Sequence, residues 1–429
     1  MSKSYFIFNQ NRCVGCEACV VACMNENGFQ GNQKWRHIYT QNSNKHPGIP
    51  LFHTSLACNH CDDAPCMKNC PALAYHRSDI THSVLHQADA CIGCQYCVWQ
   101  CPYEAPQFNP TIGIVEKCNF CESRQIENKS PACATLCPTD ALSFSFDEID
   151  KTRIKAVIEV AENPFPSLKI TELEHKKGPE MDLSLFEEED LKLDTSTGSV
   201  PKTSISAKHE WPLLIFTFIV AVLVALSVAG TGQESADWLK WSMSIAGGFG
   251  ALLSTLHLGK KLRMWRAVLN LQHSWLSREI FFFGLYYALL LIDFFLFNIH
   301  QYFILIPGIL TLLSIDMLYK PVQHHWKLPF HSGQSIFIAL SLSLLLFKFY
   351  WLFLGFLLIR MMIDVYSFHQ MDEKLFKDKL FIARWALIDI SIILVLFSVP
   401  FSIVFGMILL GEVLDRVKFY NNLKLNRVI

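Results

Sequence analysis

Sixteen cysteines, all lying between Cys13 and Cys137, constrain this 429-residue chain more than any other feature. They sort into four groups of four. Cys13, Cys16, Cys19 and Cys23 are separated by two, two and three residues. Cys58, Cys61, Cys66 and Cys70 are separated by two, four and three. Cys91, Cys94, Cys97 and Cys101 repeat the first pattern, and Cys118, Cys121, Cys133 and Cys137 are separated by two, eleven and three. Proline follows the last cysteine of three groups (Pro71, Pro102, Pro138), and Met24 takes that place in the first. Structural zinc needs only paired Cys-x2-Cys knuckles supplying four ligands. A close-spaced fourth Cys-Pro repeated three times is superfluous for that. Disulfides need an oxidising compartment, and the start MSKSYFIFNQNRC has neither a secretory leader nor a twin-arginine signal.

This spacing is the bacterial ferredoxin arrangement, in which three close cysteines cap three corners of a cubane and a partner motif supplies the fourth. Sixteen ligands imply four [4Fe–4S] clusters. The Cys-Pro segments are expected to open helices that cross to the second cluster, since proline suits a first helical turn. Gly15, Gly93 and Ala18 fit loops whose backbone N–H groups approach the sulfurs. Four centres in about 140 residues exceed what folding staples require and read as an electron wire.

After Glu210 the composition changes. The first 210 residues hold 19 Lys+Arg against 26 Asp+Glu, and the last 219 hold 18 against 12. The second half also carries apolar runs near 212–229, 241–258, 280–298, 302–319, 335–350, 351–366, 382–399 and 400–414. The stretch 335–368 is 34 residues, about 51 Å as helix against a hydrocarbon core of about 30 Å, so it must turn back, near Lys348. The last two runs are either two helices hinged at Pro400 or one kinked span. With eight spans, 18 basic residues fall on the side of the N-terminus, and Lys240 and Lys348 on the other. That split puts both termini and the cysteine-rich half in the cytoplasm. The expected fold is therefore an α+β ferredoxin-like domain with four [4Fe–4S] clusters (1–146) and a partner-docking extension and flexible linker (147–210). An all-α polytopic membrane domain of about eight transmembrane helices (211–429) follows.

Ionisable groups at membrane depth are functional candidates. Arg278 and Glu279 open the third run, Asp293 lies within it, Asp316 ends the fourth, and Asp389 and Glu412 belong to the last two. Arg360 and Asp364 stand at i, i+4 and read as a structural ion pair. Bis-histidine haem needs paired histidines at span depth, and only His257 offers itself, so no haem is expected. A quinone headgroup needs a hydrogen-bonding, proton-accepting group near the membrane surface. His257, beside the basic loop that follows the second run, is the candidate. The composition does not suit a nucleic-acid binder, and no nucleophile–base pair or nucleotide-binding loop is present.

CNHCDDAPCMKNCP, ACIGCQYCVWQCPYEAPQFN and VEKCNFCESRQIENKSPACATLCPTDALSF resemble the four-cluster subunit of the dimethyl sulfoxide reductase family of molybdoenzymes, shared with polysulfide and thiosulfate reductases. STLHLGKKLRMWRAVLNLQHSWLSREI and GEVLDRVKFY resemble that family's separate eight-span anchor subunit, so the two subunits look fused. The resemblance implies that the first motif pairs with the fourth and the second with the third. Cys13, Cys16 and Cys19 would then share a cluster with Cys137, and Cys118, Cys121 and Cys133 with Cys23. Cys58, Cys61 and Cys66 would share one with Cys101, and Cys91, Cys94 and Cys97 with Cys70. It also implies menaquinol or another quinone at His257 and no haem. The catalytic partner would be a separate chain holding molybdenum and a bis-pterin guanine dinucleotide, and the location a bacterial inner membrane. Electrons would run from quinol through the clusters to an S-oxide- or N-oxide-reducing partner. A cytoplasm-facing cluster domain also fits the reverse flow, from a donor such as sulfite to quinone. A cluster-bearing membrane sensor or transporter is the third reading, and no inverted repeat supports it.

Overall fold

The computed structural model describes residues 3–29, 33–42, 50–147, 165–171, 173–174, 207–230, 237–322, 330–370, 378–396 and 400–423. The chain divides into two units between Lys202 and Thr203.

In the first unit, β1 (Lys3–Asn9) is the middle strand of a three-stranded sheet. Its alternating side chains send Phe6 and Phe8 into the core, as a half-buried strand must. The rest of the unit is short pieces. These are α1 (Ala18–Glu26), β2 (His37–Gln41), β3 (Phe52–Leu56), α2 (Pro65–Lys68), β4 (Tyr75–Arg77), β5 (Val84–His86) and α3 (Tyr96–Gln100). β6 (Gln107–Asn109), β7 (Ile114–Glu116), α4 (Glu122–Ile126), α5 (Ala132–Thr135), β8 (Leu142–Asp147) and β9 (Leu168–Thr171) follow. β2 and β3, β4 and β5, and β6 and β7 each form an antiparallel pair. β8 runs antiparallel to β1, with Phe8 opposite Leu142 and Lys3 opposite Asp147. β9 runs parallel to β1 on its other edge, with Phe6 opposite Leu168. Phe6, Phe8, Val20, Phe120, Leu142 and Leu168 pack together with Cys19 and Cys133. The sheet thus uses residues beyond Phe146, where the sequence reading ends the cluster domain. Most of the expected linker lies outside the described residues.

The second unit is helical: α6 (Trp211–Gly230), α7 (Asp237–Leu256), α8 (Trp275–Phe295), α9 (Gln301–Leu318), α10 (Ser335–Leu346), α11 (Tyr350–Gln370), α12 (Lys379–Leu396) and α13 (Phe401–Asn421). Among the described residues, three segments are long and apolar enough to cross a membrane: Trp211–Ala229, Trp275–Phe295 and Gln301–Val322. α10 is apolar but shorter. The long stretch from 335 breaks at Lys348, whose φ of 60° ends one helix before α11 begins. Pro400 is the N-cap of α13, and α12 and α13 pack on each other as separate helices. Four of the 18 basic residues counted on the side of the N-terminus are helical and buried: Arg360 in α11, Arg384 in α12, and Arg416 and Lys418 in α13. Removing them leaves the charge split at 14 to 2.

Candidate functional site

The cysteine motifs repeat a backbone conformation as well as a spacing. Glu17 and Gln95, each between the second and third cysteine of its motif, are left-handed at φ 59° and 60° and cap α1 and α3. His60 and Phe120, between the first two cysteines of their motifs, are also left-handed. Gly15 has φ +71°, and a Cβ there would lie 2.7 Å from the His53 ring, so the loop admits only glycine.

The Cys-Pro segments differ from expectation. They are turns, not helix starts. The N–H of Leu73 donates to Cys70 O, Glu104 to Cys101 O and Asp140 to Cys137 O, each at 3.3 Å. α2, α3 and α5 all end before the cysteine. Proline fixes φ for a turn and cannot continue a helix. Where Met24 replaces it, α1 runs through Cys23 to Glu26. A missing proline thus lengthens one helix of four.

The side chains assemble across motifs. Cys13 has Cys16, Cys19 and Cys137 as charge neighbours. Cys23 lies near Cys121 and Cys133, and Cys118 near Cys23 and Cys121. Cys61 has Cys58, Cys66 and Cys101 around it. Cys97 has Cys70, Cys91 and Cys94. These neighbourhoods are compatible with the four sets implied by the family resemblance, although Cys23 also has Cys19, and Cys118 also has Cys58, as a charge neighbour. The sets also adjoin in order. Buried Tyr75 lies near Cys97 of one and Cys66 of the next. Cys118 neighbours Cys58, and Cys19 neighbours Cys133. The last set reaches the surface: Cys16 is exposed, and Cys13 and Cys137 are half-buried, flanked by exposed Val14 and Leu136. Eleven of the sixteen cysteines are buried, and none is in a disulfide.

Burial pushes the Cys23 and Cys101 thiols up to about 12 and raises Cys61, Cys97 and Cys118 well above the usual thiol range. Removal from water disfavours the thiolate. Backbone N–H groups partly compensate, with Gly93 donating to Cys91 Sγ and Phe120 to Cys118 Sγ at 3.4 Å, and Ala74 to Cys70 Sγ at 3.3 Å.

Two buried cations that the sequence reading does not reach lie among these groups. Arg36 is 2% exposed, and its Nη1 donates to Ser55 Oγ at 3.0 Å. Lys117 Nζ donates to Val84 O and to Cys118 O, at 2.5 and 3.0 Å. Neither carries a local motif, because each depends on a fold that closes around it.

In the second unit His257 sits one residue past α7, half-buried, with its Nδ1 enclosed close to the backbone of Ser254. The basic segment Lys261–Val268 follows, with Leu262 and Trp265 exposed. The other candidates split. Arg278 stacks on Trp275 at 4.2 Å and donates to Leu271 O and Gln272 O. Glu279 is buried. Asp293 accepts from the N–H of Ile299. Asp316 accepts the N–H groups of Ser335 and Ile336, at 2.8 and 3.1 Å, capping α10 from another helix.

The Arg360–Asp364 pairing is replaced by a wider network. Arg360 binds Glu412 through both oxygens, at 2.5 and 2.7 Å, and Asp415 at 2.8 Å. Asp364 instead meets Arg384 at 2.7 Å and Lys418 at 3.0 Å. Arg384 also reaches Asp415 at 3.0 Å, and Ser332 Oγ donates to Asp364 and Asp415. Three cations face three carboxylates from α11, α12 and α13, and all six are nearly or fully buried. Residues at i, i+4 are close enough to pair, but partners on neighbouring helices offer bidentate geometry.

An anaerobic dimethyl sulfoxide reductase subunit of Escherichia coli (strain K12) is 36% identical over 180 residues, covering 40% of this chain and 86% of that protein. The 429-residue protein belongs to the dimethyl sulfoxide reductase family. Within the family, a polysulfide reductase subunit of Wolinella succinogenes is 37% identical over 164 residues, 37% of this chain and 84% of its own length. The thiosulfate reductase electron transfer subunit PhsB of Salmonella typhi is 39% identical over 154 residues, 35% of this chain and 78% of its own. Residues 49–147 match the 4Fe-4S dicluster domain, and residues 205–317 match the dimethyl sulfoxide reductase anchor subunit. This family member is therefore an iron–sulfur subunit fused to its membrane anchor.

The thiol groups suit the clusters of this family. Each set is all-sulfur, four-membered and lined by N–H donors, which is what a cubane asks for. Among the described residues, no three histidine, cysteine or carboxylate side chains close on one point as ligands of a single metal ion do. Thiolates of a cubane need not, because each bonds its own iron.

Proposed function

We propose that this chain carries electrons between a membrane quinol, menaquinol or a related quinone, and a separate molybdenum-containing catalytic subunit, through four [4Fe–4S] clusters. The observation that carries the reading is the ordered adjacency of four four-cysteine sets, running from Cys70/91/94/97 to the surface set of Cys13/16/19/137. Bound cubanes supply one-electron storage. The chain's own residues hold them, bury most thiols of the other three sets (Cys94 and Cys101 are half-buried), and present the exposed end, with Val14 and Leu136, to a protein partner. His257 is proposed to hydrogen-bond the quinol headgroup and take up its proton. The 14-to-2 charge split supports eight membrane spans with both termini and the cluster domain in the cytoplasm.

Anaerobically purified full-length protein tests this. About sixteen iron atoms and as many sulfides per chain are expected, with the clusters reduced by a menaquinol analogue. His257→Gln should slow that reduction at least tenfold at unchanged iron content. About four zinc atoms per chain in place of iron would overturn the proposal. The charge split also favours a second reading, in which electrons enter from a cytoplasmic donor and leave to quinone. Cluster potentials well above that of the quinone would exclude the second direction.

A further inference from the structure

Arg36 precedes β2 and is almost wholly enclosed. Its Nη1 donates to Ser55 Oγ at 3.0 Å, and that oxygen lies 3.5 Å from Cys19 Sγ. Its guanidinium carbon sits 4.6 Å from the centre of the Phe6 ring. Among the described residues no carboxylate lies within ion-pair distance of it. The groups within reach of its charge are Cys19, of one four-cysteine set, and Cys23, Cys118 and Cys133, of the next. A guanidinium cannot shed its proton, and a cation taken out of water needs an opposite charge nearby. Here only thiolates stand in that place.

We propose that Arg36 is the shared counter-ion of two adjacent clusters and that it raises the reduction potential of both. The inference rests on the proposed cluster assignment. A cluster that accepts one electron gains one unit of negative charge, with no bond made and no proton moved. A fixed positive charge nearby favours the reduced form, and local charge is one of the determinants of cluster potential. Lys117 has a different reach. Its charge acts on Cys66 and Cys101, of the Cys58/61/66/101 set. For Cys70, Cys94 and Cys97 no cation is among the chief influences. The buried cations are thus distributed unevenly along the wire, and Arg36 serves its surface half.

The test is a redox titration of the full-length protein followed by electron paramagnetic resonance, with iron and sulfide counted in each preparation. Arg36→Gln is expected to shift two of four centres downward by at least tenfold in the reduction equilibrium, about 59 mV for one electron. The other two centres should stay within threefold. Arg36→Lys, which keeps the charge, should move the same two centres much less. Lys117→Gln should move the Cys58/61/66/101 centre most. Iron at the full count with no shift, an equal shift of all four, or equal shifts for Gln and Lys overturns the inference while leaving the cluster assignment intact. Lack of iron in the unaltered protein overturns the assignment itself. If Arg36→Gln alone loses iron, unaltered potentials in Arg36→Lys support the charge role. Loss of iron from both variants shows a packing role and overturns it.

Discussion

The six-membered charge network of the helical unit makes a quantitative prediction. Arg360, Arg384 and Lys418 balance Asp364, Glu412 and Asp415, so the enclosed set is neutral. Glu412→Leu leaves one net positive charge there, and Arg360→Met one net negative charge. Arg360 also loses its contacts to Ser341 Oγ at 2.6 Å and Ser332 O at 2.8 Å. Breaking a buried pair by removing one partner costs about 3–5 kcal/mol, whereas replacing both with apolar groups is often near neutral. Asp415 keeps Arg384 at 3.0 Å and Ser332 Oγ at 2.8 Å, so it is not left alone in the double variant. Each single variant should therefore lose about 3–5 kcal/mol. The double variant should lose at least about 2 kcal/mol less than the two losses together, within the range of coupling seen for residues in contact. Reversible unfolding by denaturant in mixed micelles measures all four corners of the cycle. Additivity to within about 0.5 kcal/mol, the behaviour of independent sites, would refute the pairing.

Three other predictions concern single residues. A Cβ on Gly333 would lie 2.6 Å from Asp415 O and 3.0 Å from Phe419 Cβ, so Gly333→Ala should cost about 1–3 kcal/mol by overpacking, read by the same unfolding assay. Burial, with a smaller contribution from Lys117, lowers His86 from the ordinary 6.5 to about 4. The unfolded state then takes up the extra proton first, so stability is full above about pH 6.5 and falls as the pH drops towards 4. Cluster bleaching during acid unfolding should show that loss shrinking in His86→Gln, and an unchanged acid slope would count against it. Cys94→Ser should alter one centre and spare three, visible as a new three-iron resonance signal or one lost cluster; damage to all four would contradict the grouping of Cys94 with Cys70, Cys91 and Cys97.

Spacing carries information only as far as the interactions it encodes are local. The cysteine sets are legible because a tight loop of ligands must be contiguous, and the break at Lys348 because helix length is fixed by rise per residue. The Cys-Pro turns are not, because proline suits both a helix start and a turn, and the helices before Cys70, Cys101 and Cys137 are too short to show periodicity. The burial of Arg360, Arg384, Arg416 and Lys418 is not legible, because partners of Arg360, Arg384 and Lys418 lie on other helices. Arg36 and Lys117 give no signal at all, since nothing in WRHIY or VEKC announces burial.

Because Leu168–Thr171 lies along the free side of β1, cutting the polypeptide after Asp147 and ahead of Leu168 would leave a row of unsatisfied N–H and C=O groups along β1. Such a rim recruits other chains. A detachable, water-soluble fragment should therefore extend at least to Thr171, and one ending at the last cysteine motif would be prone to clump even with every iron ligand in place.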